Sequence, residues 1–173
     1  LMCRGLVTDN NGVVISRPFP KFFNWGEPGA PGHELALEQQ FEAYDKMDGS
    51  LIIVGKYENE LVVSTKGSFT TWHSEKAAEY LQGFDPHDGL TGLFEFIDPN
   101  NRIVVDYGDF SGLVLLGCVK NDTGEDGYDP SVYADGTGWW GDVVTSRKLN
   151  LTSTLNMVKD PEAGPNREGF VLV

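Results

Sequence analysis

Apolar residues in this chain fall in short runs separated by Gly, Pro, Asn and Asp, a pattern of strands rather than of long helices. The densest run opens with Leu51-Ile52-Ile53-Val54 and continues to Tyr57; Glu58-Asn59-Glu60 separates it from Leu61–Thr65, which predicts a hairpin. Cys3–Thr8 and Val13–Ser16 flank Asp9-Asn10-Asn11-Gly12 and predict a second. Thr91–Ile97, Arg102–Tyr107 and Leu113–Val119 read as further strands, and Glu168–Val171 as the last. The clearest helix runs from Ser74 to Gln82, with Ser74 as cap, Glu75 in the first turn and Gly83 beyond the end. Leu35–Tyr44 and Leu151–Lys159 read as shorter helices. Glu27–Gly32 and Pro161–Arg167 read as loops, and the Gly- and Asp-rich Asn121–Trp140 as an irregular surface excursion. Strands outnumber helices and tight turns join them, so the expected fold class is α+β with mainly antiparallel sheets.

Composition narrows this picture. The 173 residues suit one domain with a sizeable core, and 12% aromatic content argues against disorder. No run is long enough to span a bilayer and no signal peptide is visible, so a cytoplasmic, membrane-free protein is expected. The first residue is leucine, which suggests a piece of a longer chain. Cys3 and Cys118 sit in apolar runs and read as reduced core thiols, one disulfide being the alternative; with three scattered histidines they make no zinc pattern. A net charge of −13 excludes a general nucleic-acid coat, since phosphate binding needs cations. Yet Arg4, Arg17, Lys21, Lys46, Lys56 and Lys66 all fall in the first 66 residues, while acid dominates Asp122–Asp142. That asymmetry fits a local phosphate pocket on an acidic body; a solvated strand face is the bland alternative.

The candidate chemistry centres on Lys46-Met47-Asp48-Gly49-Ser50, just before the densest strand. A lysine there becomes a nucleophile if its amine is neutral. Lys66, Lys21 and Arg4 would favour the neutral form, and Asp45 and Asp48 oppose it. Gly49 would allow close backbone approach to a nucleotide. The alternative is an ordinary Asp-Gly turn with a solvated lysine. Glu95 in Leu93-Phe94-Glu95-Phe96-Ile97 and Glu168 in Glu168-Gly169-Phe170-Val171 are acids among large apolar residues. Burying an unpaired carboxylate is costly, so each needs a partner: an ion pair, or a metal shared with Asp48.

With Cys3-Arg4-Gly5, Pro20-Lys21-Phe22-Phe23-Asn24 and Ser64-Thr65-Lys66-Gly67, these motifs resemble, in order, the ATP-dependent RNA ligases of bacteriophages, nearest the branch that rejoins broken tRNA anticodon loops. These are covalent lysine nucleotidyltransferases. The resemblance implies an adenylylation core of two packed sheets with peripheral helices. It also implies Lys46 as the residue that takes AMP from ATP and passes it to an RNA 5′-phosphate before a 3′-hydroxyl joins. Implied nucleotide contacts are Arg4, Lys21, Phe23, Gly49, Lys66, Glu95 and Glu168. Asp48, Glu95 and Glu168 are the implied holders of Mg²⁺ or Mn²⁺ through water. Val171 and Tyr107 or Phe110 would flank adenine, with core packing as the alternative. Implied partners are RNA with 5′-phosphate and 3′-hydroxyl ends, broken tRNA among them, and an RNA end-healing kinase/phosphatase; the compartment is the cytoplasm, the host's for a viral source. Family members carry a further strand with two lysines soon after Glu-Gly-Phe-Val, then a C-terminal domain. Neither occurs before Val173, so an adenylyltransferase domain truncated at both ends and impaired in turnover is expected. DNA ligases and capping guanylyltransferases share the core motifs, and a nucleotide-binding module without turnover is the reading from another class.

Overall fold

A computed structural model describes residues 4–27, 37–160, 166 and 168–173. Its main sheet has five strands in the order β5-β4-β6-β7-β8. These are β4 (Ser50–Tyr57), β5 (Glu60–Ser64), β6 (Leu90–Ile97), β7 (Gly112–Lys120) and β8 (Asp142–Val143). All neighbours run antiparallel except β7 and β8. Glu58 and Asn59, with φ of 50° and 67°, form the turn of the β4–β5 hairpin in the left-handed conformation that matches strand twist.

The apolar run in β4 is continuous because both faces of the sheet are covered. Ile52, Val54, Phe94, Phe96 and Leu115 pack on one side. There they meet Ala77 of helix α1 (Trp72–Tyr80) and Tyr133 and Ala134 of helix α2 (Pro130–Thr137). Ile53, Leu93 and Val119 pack on the other face with Leu51 and Phe19. A short hairpin, β1 (Val7–Thr8) and β2 (Val14–Ser16), crosses that face. At Gly55 an added Cβ would collide with the Ile15 carbonyl oxygen, so the crossing needs glycine.

A second sheet has the order β10-β3-β9, all antiparallel. It comprises β3 (Gln40–Asp45), β9 (Ser146–Asn150), which leads into helix α3 (Leu151–Lys159), and β10 (Phe170–Leu172). Asp45 pairs with Phe170, which brings the residues after β3 beside those before β10.

The structure bears out an α+β fold with mostly antiparallel sheets and corrects several elements. Residues 40–44 of the expected Leu35–Tyr44 helix are strand, because β3 gains partners on both edges; Leu35 and Ala36 lie outside the described residues. Arg102–Tyr107 is not a strand: its amides turn to Asp48 instead of a neighbouring strand. Asn121–Trp140 contains α2, capped by Asp129, opened by Pro130 and closed by left-handed Gly138. Helix α1 begins earlier than expected: Thr71 is its cap and Ser74 the reciprocal partner in a capping box. Of the described residues of Cys3–Thr8, only Val7–Thr8 is strand, Arg4 and Gly5 forming a turn. Cys118 is a buried free thiol, whereas Cys3 lies outside the described residues, as does Pro161–Arg167 apart from Asn166. No described helix is long and apolar enough to cross a membrane.

Candidate active site

Lys46 follows the last residue of β3, and its amide donates to the Gly169 carbonyl (2.9 Å), extending the β3–β10 ladder by one step. That register sets its side chain beside Glu168, and Lys46 Nζ forms an ion pair with Glu168 Oε1. Asp45, expected to oppose a neutral lysine, is instead paired with Arg147 (2.7 Å).

Asp48 is 6% exposed. Its Oδ2 accepts from the amides of Val104 (2.6 Å) and Val105 (2.7 Å), and its own amide donates to Tyr107 Oη (3.0 Å). Asp48 thus fastens the 102–107 segment over the end of the sheet. Burial pushes the Tyr107 hydroxyl up from its ordinary pKa, with Asp48, Glu95 and Glu168 adding to the effect. Asn166 braces the same segment: it accepts from the Asp106 amide and donates to the Asp106 carbonyl (2.6 Å). Gly49 has a sharper role than expected. An added Cβ would collide with the Phe96 carbonyl oxygen and lie 3.3 Å from Glu95 Cγ, so the glycine lets β6 close against the lysine turn.

Glu95 lies opposite Leu51 on β6. Burial raises its pKa from 4.5 to about 7, against the pull of the Gly49 amide, Lys46 and Lys66, while Glu168 adds to the rise. Two lysines and a second carboxylate therefore act on one half-buried acid. Lys66 occupies the turn closed by Thr65 and Ser68 (2.9 Å). Gly5 packs on it: a Cβ there would sit 3.3 Å from Lys66 Cα, at a φ of +87°. This places exposed Arg4 next to the residue that touches the Lys66 turn.

Lys46, Asp48, Gly49, Lys66, Glu95 and Glu168 are thus gathered at one end of the main sheet. Lys21 and Phe23 pair with each other: Lys21 Nζ lies 4.1 Å from the Phe23 ring centre and 3.7 Å from Glu27. Neither Phe22 nor Phe23 is buried, whereas Phe19 packs on the core. Tyr107 and Phe110 line a cavity with Asp48, Asn101 and Arg102, and Val171 is half-buried in β10. Among the described residues no group of three His, Cys, Asp or Glu side chains could hold a metal directly. The expectation that Asp48, Glu95 and Glu168 share a cation is thereby confined to one held through its water. Sequence reading missed the Val104 and Val105 amides, since backbone donors carry no residue signature, and Asn166, whose partner is the backbone of Asp106 60 residues away.

Comparison with known proteins bears on the family and the fold. A family profile described as RNA ligase matches residues 2–173. A protein of Thermovibrio ammonificans provisionally named an RNA ligase is 31% identical, over 70% of this chain and 34% of its own length. One of Autographa californica nuclear polyhedrosis virus, provisionally named a bifunctional polynucleotide kinase/RNA ligase, is 30% identical over 71% of this chain and 22% of its own. RNA ligase 1 of bacteriophage TS2126 is 31% identical over 65% and 33%. The chain thus spans about a third or less of the length of these curated relatives. A lysine-to-methionine mutant of the Naegleria gruberi RNA ligase, solved with AMP and Mn, shares the fold with a TM-score of 0.54 at 18% identity, over 79% of this chain and 46% of that one. Matched along nearly its whole length, the chain belongs to the RNA ligase family.

Proposed function

We propose that this chain carries the adenylyl-transfer site of an ATP-dependent RNA ligase, with Lys46 as nucleophile. The observation that supports it most is the meeting of Lys46 and Glu168 beside half-buried Glu95 and Lys66, on a turn that Gly49 holds tightly to β6. Lys46 Nζ, once neutral, forms a bond to the α-phosphorus of ATP, and the bond to the pyrophosphate oxygen breaks with its electron pair. AMP then passes to the 5′-phosphate of an RNA. Attack by a 3′-hydroxyl forms the new phosphodiester and releases AMP.

Glu168 is the acceptor adjacent to the Lys46 proton. Lys66 and Arg4 offer cations to phosphate oxygens, which gain charge as the lysine attacks. Lys21 and Phe23 form a cation-and-ring unit suited to the triphosphate and base, and Gly49 leaves its backbone open to the nucleotide. Asp48, Glu95 and Glu168 would hold hydrated Mg²⁺ or Mn²⁺ through its water; that cation supplies charge neutralisation at the phosphates. The substrates are RNA ends bearing 5′-phosphate and 3′-hydroxyl, as in a broken tRNA, in the cytoplasm of the cell or viral host. The kinase joined to ligase in the name of the baculovirus relative supports pairing with an end-healing kinase/phosphatase. Assays with ATP against GTP, and with 5′-phosphorylated RNA against nicked DNA, test this function. Sealing of RNA with ATP is expected. A preference for GTP, or for nicked DNA, would overturn it in favour of a capping enzyme or a DNA ligase.

A further inference from the structure

From Lys66 the chain runs through Phe69 into the first turn of α1. Here two large rings are left in water within four residues: Phe69 is 53% exposed and Trp72 41%. Phe69 is anchored through its backbone and Trp72 through its ring. Ser74 Oγ donates to the Phe69 carbonyl (2.9 Å), inside the capping box that starts the helix. The Trp72 ring meets Phe96 and His73 edge-on, at centroid distances of 5.5 and 5.2 Å. His73 is tied back to the site: its Nε2 hydrogen-bonds to Asn101 Oδ1 (2.9 Å), and Asn101 Nδ2 donates to Ser50 Oγ (3.0 Å). Ser50 follows Gly49 directly and pairs with Phe96, the neighbour of Glu95. Successive strand residues face opposite sides. Glu95 therefore faces the Lys46 group, while Phe96, Trp72 and His73 occupy the other face at the same end of the sheet. The turn carrying Lys66 joins the two.

We propose that Phe69 and Trp72, with His73 beside them, form a stacking shelf for unpaired bases of the RNA end adenylylated at the Lys46 site; this rests on the ligase reading above. Every base offers a π-face, so exposed rings bind single strands with little sequence preference. A cation between shelf and site is the companion such a surface needs, and Lys66 supplies it at the turn leading to Phe69. Bases inside a duplex have both faces covered by neighbours, so the shelf selects single-stranded ends. His73, tied through Asn101 to Ser50, anchors one side of the shelf to the strand that follows Gly49.

Fluorescence anisotropy of the chain with a 5′-phosphorylated, fluorescein-labelled oligoadenylate tests this. Phe69→Ala and Trp72→Ala should each weaken binding by roughly fivefold to a hundredfold, the range of one lost stacking partner. Trp72→Phe should retain most of the affinity. Trp140→Ala should change nothing, although Trp140 is 76% exposed, because it stacks on Trp139 away from the Lys66 turn. If Trp72→Ala fails to fold, Phe69→Ala decides, since that ring lies outside the buried core. Wild-type affinity in Phe69→Ala, an equal loss in Trp140→Ala, no binding by the wild type, or preference for a duplex of the same length would each overturn the shelf. Lys46–AMP formation needs no RNA, so measuring it in parallel separates the two ideas. A wild type that stacks RNA but forms no adduct defeats the ligase reading alone.

Discussion

Glu95 is the residue where burial and charge compete most openly. Its neighbours Lys46, Lys66 and the Gly49 amide favour the carboxylate, yet burial wins and holds the pKa at about 7. An unfolded glutamate releases its proton near 4.5. Between those two values the folded chain keeps a proton that the unfolded chain has lost, so stability falls as pH rises through the window. The contribution is complete below it and gone above it. At 1.36 kcal/mol per pKa unit, the ceiling is about 3 kcal/mol. Urea unfolding across this range should show the wild type losing stability more steeply than Glu95→Gln, which cannot titrate. Equal slopes would mean that Glu95 is hydrated in solution. The Lys46–Glu168 pair is partly exposed, and such pairs contribute roughly 0–1 kcal/mol. Its conspicuous position is therefore better explained by chemistry than by stability.

Gly49 and Gly67 belong to similar-looking motifs, but their elements treat them differently. At Gly49 a Cβ would strike the Phe96 carbonyl and pry β4 from β6 at the start of their ladder, whereas nothing lies within 4 Å of a Cβ at Gly67. Gly49→Ala should cost about 1–3 kcal/mol, the usual range for overpacking, and Gly67→Ala far less, read as thermal midpoints. Similar midpoints would show that β6 can shift away from the turn. The same contrast explains what could be read in advance. Strands β4, β6 and β7 were legible because burial on both faces writes an unbroken apolar run. Strand β3 was misread because its pairing with Arg147 and Phe170 lies far off in sequence, and Ser146–Asn150 is too polar to announce β9. Helix α2 did carry its signals, Asp129-Pro130 and Gly138, inside a stretch whose composition suggested a loop. Glu95 and Glu168 stood out as charges in apolar company, and Lys46 by its place in an Asp-Gly turn before the densest strand. The partners of Asp48 did not, because they are backbone amides set by the path of residues 102–107.

At the scale of the molecule, a body with net charge −13 concentrates its useful cations at one end of a five-stranded sheet. The second sheet has a specific task there: pairing β3 with β10 sets Lys46 against Glu168. Family membership, the glycine-tight turn and the half-buried acid all support the proposed event, capture of AMP by Lys46. Prolonged incubation with α-labelled ATP and Mg²⁺, followed by peptide mapping, measures that event without RNA or any partner. The expected result is an acid-labile label on the peptide containing Lys46, absent from a folded Lys46→Ala variant. No protein-bound label, or a label that survives Lys46→Ala, would contradict the assignment of Lys46 as the nucleophile.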